Sequence, residues 1–458
     1  MSDAASSHVN WYRTIWRWHF YAGVLCIPFV LWLSVTGAIY LFKPQIEAWI
    51  DRPYAGLAGT GEQRTPAEMV SAAIAAVPGA VLHRYILPSA PNDARQIVVG
   101  VGAAQTRVYV HPFSGDVLRV EKEEDRFMRL IFRLHGELLV GRTGSTLVEI
   151  AASWTIVMIL TGLFLWWPRN GAALAGTLYP RLTAAPRIFW RDLHAVTALW
   201  VSLLAVFLIL SGLPWAKSWG SYLEAVREFT GTVAGQQDWS AGSEKDAALR
   251  AQLDAGVRAA LDPHAEHGGS MTEEAHASTG AFDAINKVVA VAENLALAAP
   301  VEISPPTGRT KGWLVVSNVA DRTVRETYRL DAGGRTLMHD TFADRHWIDQ
   351  VVGVGIAVHE GAKFGLVNQL INLLTVVDLM IVSVSAAAMW WRRRPDGALG
   401  APRVAGRSGF AAPVFGVIII LAVILPSFGA TLILALTLER LVLSRLPKAS
   451  AWLGLRPA

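Results

Sequence analysis

Long, almost unbroken apolar runs alternate along the chain with polar stretches of very different length. Phe20 to Phe42, Thr146 to Trp167, the run that follows His194 and ends at Ser211-Gly212, and the run that ends at Trp390-Trp391 each have the length a helix needs to cross about 30 Å of hydrocarbon. Thr146 to Trp167 is apolar apart from Glu149 and a few small hydroxyl residues, and it closes on Trp166-Trp167-Pro168-Arg169. The fourth run closes the same way, on Trp390-Trp391 and then Arg392 to Arg394. Rings at headgroup depth with cations beyond them anchor a span and mark its cytoplasmic end. A last apolar run, Ala411 to Leu443, is interrupted by Pro426-Ser427-Phe428-Gly429 and predicts either one kinked helix or a hairpin of two short helices. Only the hairpin returns the basic tail (Arg440, Arg445, Lys448, Arg456) to the cytoplasmic side.

The polar stretches divide the chain further. Residues 1–43 read as a cytoplasmic tail and first span, 44–125 as an extramembrane α+β domain, and 126–169 as an interfacial helix and second span. Residues 170–216 read as a cytoplasmic loop and third span, 217–350 as a second extramembrane domain, 351–394 as an interfacial segment and fourth span, and 395–458 as the C-terminal apolar stretch and tail. In the first domain a helical run, Pro66 to Val77, precedes a hairpin, RVYVHPFSGDVLRV, whose alternating valines break at Pro112, Ser114 and Gly115. The second domain carries the counterpart ETYRLDAGGRTLMHD, and Tyr109 to Gly115 and Tyr328 to Gly334 are both six residues.

The membrane segments repeat as well. His135 to Trp166 and His359 to Trp390 are each 31 residues, and His19 and His194 each stand seventeen residues before a small-residue pair, Thr36-Gly37 and Ser211-Gly212. The pattern predicts an internal duplication, each half being span, extramembrane domain, span. The fold class expected is therefore a mainly helical integral membrane protein: a duplicated four-span core, a C-terminal helix or hairpin, and two extramembrane α+β domains.

Composition agrees, with 52% hydrophobic and 17% charged residues, and excludes a soluble reading. The net charge of +4 implies no nucleic-acid partner, because the cations cluster at span ends. Cys26, the single cysteine, lies inside the first span, so the chain offers no intrachain disulfide, cysteine-held zinc or cysteine-held iron–sulfur cluster. The first apolar run has no cleavable-signal character.

Several short motifs are similar to those of the PepSY-associated transmembrane family of bacterial inner-membrane proteins, which includes FoxB-type siderophore reductases. They are W-R-x-H at Trp16 to His19, T-G at Thr36-Gly37, the hairpin Tyr109 to Leu118, L-H-G-E at Leu134 to Glu137, T-G-x-x-x-W-W at Thr161 to Trp167 and R-D-L-H at Arg191 to His194. The second half departs from the pattern with Ser211-Gly212 and Val358-His359-Glu360-Gly361, yet keeps its histidines. The resemblance implies a haem-containing oxidoreductase of the inner membrane, with a cytoplasmic N-terminus and two periplasmic PepSY-like domains, that passes electrons to ferric siderophores.

The residues support haem in their own right. An ionisable side chain in a span is costly and usually functional, and four in a repeated register suit b-type haems held by paired imidazoles. Depth assigns one inner haem to His19 and His194 and one outer haem to His135 and His359. Thirty-one residues of straight helix would measure about 46 Å, too long for one span, so breaks are expected at Gly141 to Gly144 and Gly361 to Gly365. Residues 126–139 then form a surface helix with Phe127, Leu130, Ile131 and Leu134 inward, and Arg126, Arg129 and Arg133 toward water or haem propionates. Arg133 and Arg142 suit propionates or lipid headgroups equally.

His339, His346, Trp313 and Trp347 are the expected walls of a siderophore cleft between the two extramembrane domains. His83 and His111 are expected at the surface. His264, His267 and His276 lie in a Gly-, Ala- and charge-rich tract that reads as a solvated loop before it reads as a metal site. Asp378, midway along the fourth span, is expected to pair with a polar group or to serve a proton path. No Gly-rich nucleotide loop is present, Gly353-Val354-Gly355 lacking both a third glycine and the strand–helix context, so electrons must come from another protein or a quinol. The basic loops Arg169 to Arg191 and Arg392 to Arg407 suit an acidic donor protein or plain anchoring. A haem-free sensor or peptidase regulator and a siderophore permease are the alternatives; few polar residues at mid-membrane argue against the permease.

Overall fold

The computed structural model describes residues 2–168, 173–232, 244–261, 274–307, 312–402 and 412–455. The first half runs α1 (Ser2–Leu41), α2 (Lys43–Asp51), α3 (Pro66–Ala75), β1 (Val81–Ile86), β2 (Arg95–Val101), β3 (Ala104–Val110), β4 (Val117–Lys122), α4 (Phe127–Glu137) and α5 (Gly141–Trp166). Then come α6 (Pro186–Gly212), α7 (Lys217–Phe229), α8 (Glu244–Leu261), α9 (Glu274–Asn294), β5 (Val301–Ser304), β6 (Trp313–Ser317), β7 (Glu326–Leu330) and β8 (Thr336–Thr341). The chain ends with α10 (Trp347–His359), α11 (Gly365–Arg393), α12 (Ala412–Ile424), α13 (Pro426–Leu441) and α14 (Pro447–Leu453). It is mostly helical, and five helices are long and apolar enough to cross a membrane: Tyr12–Leu41, Gly141–Trp166, Pro186–Trp215, Gly365–Arg393 and Pro426–Arg445. The chain forms two compact units, one of Met1–Leu41, Phe132–Val233 and Val367–Ala458, the other of Phe42–Ile131 and Ala234–Leu366.

The first unit holds the spans. Leu203 and Ile433 are 79% and 67% exposed, as apolar side chains must be where the neighbour is lipid rather than protein. Small residues let α1 and α5 come close: a Cβ added to Gly23 would already touch the Met158 sulfur at 3.9 Å, and the Cys26 thiol lies 3.6 Å from the Ala151 carbonyl. The C-terminal run resolves as a hairpin, α12 turning at Leu425 into α13, whose first residue is Pro426. The segments before and after it meet, since the Leu399 N–H donates to the Trp452 carbonyl at 2.8 Å, and Arg17 donates to the carbonyls of both Pro402 and Gly454.

At the hairpin's turn sits Glu149, 2% exposed near the start of α5. One carboxylate oxygen accepts the N–H groups of Ser218 and Trp219, each at 3.1 Å, in the first turn of α7, and the other accepts the Ser427 hydroxyl. The first turn of a helix presents unpaired N–H groups and partial positive charge, so a carboxylate supplied by another helix satisfies both. Ser145 accepts the Lys217 N–H at 3.2 Å beside it.

The second unit is built on one antiparallel sheet of eight strands in the order β4-β3-β2-β1-β5-β6-β7-β8. Two four-stranded meanders meet where β1 pairs with β5. One face packs on Met69, Val70 and Ala73 of α3 and Ile285, Val288, Val289 and Ala292 of α9, around Ile97, Val108, Ile303, Val315 and Leu330. α3 starts on a capping box, Thr65 accepting from the Glu68 N–H while Glu68 accepts from that of Thr65.

The two tyrosines matched in sequence are not matched in place. The β3–β4 connection closes with the His111 N–H on the Asp116 carbonyl, and the β7–β8 connection closes with the Asp331 N–H on the Arg335 carbonyl, one residue shorter. One residue of slip turns a strand over. Tyr328 packs on the core face, whereas Tyr109 lies on the other, its hydroxyl donating to Asp51 at 2.9 Å.

Glu149→Ala leaves buried N–H groups of α7 without an acceptor, which costs about 2–3 kcal/mol. The variant should melt at a lower temperature in detergent and be cleaved faster between α12 and α13, with Glu149→Gln intermediate; unchanged melting and cleavage would show that the carboxylate is dispensable.

Candidate functional site

Two of the four register histidines face each other. His19 on α1 and His194 on α6 have ring centres 6.4 Å apart and planes at 73°. Each ring is held by its Nδ1 to a main-chain carbonyl of a neighbouring span: His19 to Met158 of α5 at 3.0 Å, and His194 to Val382 of α11 at 3.0 Å. A carbonyl only accepts, so Nδ1 carries the proton in both rings and Nε2 keeps its lone pair. Among the described residues neither Nε2 has a hydrogen-bond partner. An imidazole whose Nδ1 is engaged in this way has its tautomer and tilt fixed and could hold a metal at Nε2. An imidazole nitrogen binds a first-row metal at about 2.0 Å and lies roughly 1.1 Å from its ring centre, so two rings on opposite sides of one metal stand about 6.2 Å apart. The observed separation fits.

Thr161 and Gly162 complete the setting of His19. The Thr161 hydroxyl lies 3.1 Å from Nδ1 and itself donates to the Val157 carbonyl at 2.8 Å, and a Cβ on Gly162 would stand 3.1 Å from the ring. His135, on α4, has the same kind of support from α1. Its Nδ1 is 2.9 Å from the Thr36 hydroxyl, which donates to the Trp32 carbonyl, and a Cβ on Gly37 would stand 3.2 Å from its ring. The turn after His135 is strained, Leu138 and Leu139 taking φ of 50° and 60°. The break therefore runs from Leu138 to Gly141, whose φ is 59°, so it begins before the expected glycines and includes the first of them. Gly141 opens α5, and Gly144 lets the Glu137 carbonyl pass where a Cβ would lie 1.7 Å from it.

His359 ends α10 and belongs to the second unit, whereas His19, His135 and His194 belong to the first. The link after it is tied to the sheet unit by Arg322–Glu360 at 3.5 Å and Lys363–Asp321 at 3.6 Å, with Gly361 and Gly365 in the left-handed region.

The family described as the PepSY-associated TM region matches residues 16–393, a span that contains all four histidines and both Thr-Gly pairs. The chain belongs to that family. No curated protein matches it.

The remaining expected site residues of this family member divide. Trp313 is 4% exposed and part of the sheet core, so it is not a cleft wall. His346 caps α10, its Nδ1 accepting the Ile348 N–H at 3.3 Å, and His339 stacks on Tyr328 with Nε2 2.8 Å from Glu326. Trp347 is 65% exposed. On α4 the buried side chains are Met128 and Ile131, the latter on the expected inward face, while Phe127 and Leu130 are exposed. Arg126 is buried among Glu47, Asp51 and Glu123 and so is not turned to water, whereas Arg129 pairs with Glu124 at a part-exposed position. Asp378 is half-buried with no hydrogen bond or ion pair among the described residues. Beside it on α11 lies a buried polar stripe, Asn368, Gln369, Asn372 and Thr375, which the apolar average of the span conceals and the i, i+4, i+7 spacing reveals. Among the described residues no group of three or more His, Cys, Asp or Glu is placed to hold a metal ion; His264, His267 and the side chain of His276 lie outside the described residues.

His83 is fully buried rather than at the surface. Gly100 on β2 makes room for its ring, which a Cβ there would meet at 2.3 Å. Gln105 donates to its Nδ1 at 3.0 Å and its Nε2 faces Asp254 of α8 at 3.4 Å, so both nitrogens are spent on structure. His111 likewise serves its turn, Nδ1 accepting from Phe113 and Ser114. Burial holds the His83 imidazole below its ordinary 6.5, against the upward pull of Asp254, with Arg84 and Arg250 adding to the depression. Arg258 holds Asp254 as the carboxylate.

Because the unfolded chain takes up a proton near pH 6.5 and folded His83 resists it, the docking of α8 should be full above that pH and weaken as pH falls from about 7 to 5. Amide hydrogen exchange of α8 should quicken over that range and become pH-independent, after correction for intrinsic rates, in His83→Gln; equal behaviour of the two proteins would disprove the linkage.

Proposed function

We propose that the chain is a di-haem b-type transmembrane electron-transfer protein that reduces a ferric siderophore, or another ferric chelate, in the bacterial periplasm. Electrons would come from a cytoplasmic donor or the quinol pool. The observation that carries this reading is the His19–His194 pair, two imidazoles 6.4 Å apart between spans, each with its proton committed to a carbonyl. For the second haem the reading rests on the sequence registers, which assign it His135 and His359.

When bound, haem supplies a one-electron couple that amino-acid side chains lack. The chain supplies the rest. Met158 and Val382 hold the two rings in the tautomer that leaves a lone pair on Nε2, and the apolar spans keep water from them. Each ferric ion of the substrate takes one electron, and hard oxygen donors hold the resulting ferrous ion less well, so the siderophore releases it intact. Trp347, exposed on the extramembrane unit, is the residue retained for contact with the chelate, and His339 lies on the same unit.

The core is read as a duplication. Met158 stands 23 residues after His135 and Val382 stands 23 after His359, and these two carbonyls receive the two inner histidines. Two meanders meeting at one seam suit two PepSY-like domains. A cytoplasmic N-terminus in the inner membrane is supported by the basic residues near one end of the bundle, where Arg17 reaches the Pro402 carbonyl and Arg394 lies 3.9 Å over Trp391.

Purified protein should show a b-type spectrum that sharpens on dithionite reduction, with two haems per polypeptide. His19→Ala and His194→Ala should remove the same spectral component; removal of different components would break the pairing, and a colourless wild-type protein would end the haem reading. Reduced protein should be reoxidised anaerobically by ferric siderophore, and His135→Ala should slow that step while leaving the inner component reducible.

A further inference from the structure

Each Thr-Gly pair lies against an imidazole on a different element. Thr161-Gly162 of α5 supports His19 of α1, while Thr36-Gly37 of α1 supports His135, which leads into α5. α5 thus supports the histidine of α1, and α1 supports the histidine of α4, which leads into α5. The Met158 carbonyl makes Nδ1 of His19 a donor, so the Thr161 oxygen, its own proton directed to Val157 or Met158, accepts from the ring; the Thr36 oxygen, its proton directed to Trp32 or Leu33, is placed to accept from His135 in the matching tautomer. A Cβ added to Gly162 or Gly37 would stand 3.1 or 3.2 Å from the ring, closer than a Cβ stands without the neighbour giving way. His194 has a poorer setting. The residues that stand after His359 as Thr161 and Gly162 stand after His135 are Ser385 and Ala386, and the Ser385 hydroxyl bonds the Val382 carbonyl rather than the ring.

We propose that Thr161-Gly162 and Thr36-Gly37 are positioning pairs, the hydroxyl raising the basicity of the ring it accepts from and the missing Cβ setting the ring's tilt. The inference rests on the haem reading. A shared Nδ1 proton gives Nε2 more electron density, which favours ferric over ferrous iron, so the two rings of the inner pair contribute unequally. His19 is the stronger donor and His194 the weaker. The reduction potential of each haem is then set in part by one hydroxyl on a helix that does not carry the ligand.

The test is a redox titration of the full-length protein in detergent, followed in the visible bands. Thr161→Val should raise the midpoint potential of the component that His19→Ala removes and leave the other in place, with haem affinity falling about tenfold or more. Thr161→Ser should restore both. Thr36→Val should raise the potential of the other component alone. Gly162→Ala should retain haem but alter the low-spin ferric paramagnetic resonance spectrum, which senses the angle between the axial rings. Full haem with an unmoved potential in Thr161→Val would overturn the proposal, as would loss of haem that Thr161→Ser does not restore, since packing rather than the hydroxyl would then be at work. Wild-type protein without haem would instead overturn the function proposed above.

Discussion

A ring N–H given to a main-chain carbonyl of the next helix is the contact on which the membrane unit depends. Removing an imidazole from water is costly unless its polar atoms are engaged, and inside a bundle the available acceptors are carbonyls already used once by their own helix. A carbonyl has a second lone pair, and Met158 and Val382 offer theirs to His19 and His194. The bond fixes more than burial. It sets the height of α1 against α5 and of α6 against α11, and it decides which nitrogen of each ring is a base.

The sheet unit treats a histidine in the opposite way. His83 gives one nitrogen to Asp254 and receives a proton from Gln105 at the other, so nothing is left over for chemistry. Burial alone therefore does not leave a histidine available for chemistry, since His83 is fully buried and His19, part-buried between spans, is the one that keeps a nitrogen unengaged. What separates them is whether the second nitrogen is consumed by the fold.

Spans, their breaks and the spacing of the histidines were legible because each is written locally, in runs of apolar residues, in glycines and in equal intervals. The C-terminal hairpin was half legible, since Pro426 shows a break but not its direction; that depends on Trp452 meeting Leu399. Errors came where a partner is distant. His83 looked superficial because the helix that covers it lies 171 residues further on, and Trp313 looked like a cleft wall because nothing near it in sequence shows the core it enters. Arg126 misled for the same reason, its carboxylates Glu47 and Asp51 lying on α2. The tyrosine match failed on a single residue of loop length, which spacing to the glycine could not register.

The seam between the two meanders is short, with Tyr85 opposite Ile303, Ile86 opposite Glu302, and one further bond from Leu87 to Val301. It nonetheless covers both inner edges, leaving outside only β4, with Arg119, Glu121 and Lys122, and β8, with His339 and Asp340. Charged outer strands discourage further addition. Either meander alone would expose an apolar edge and complete itself only by finding another copy, at a rate set by how much protein is present. Carrying both in one chain replaces that search with a tether, so closure of the sheet depends on effective concentration within the molecule and is independent of expression level.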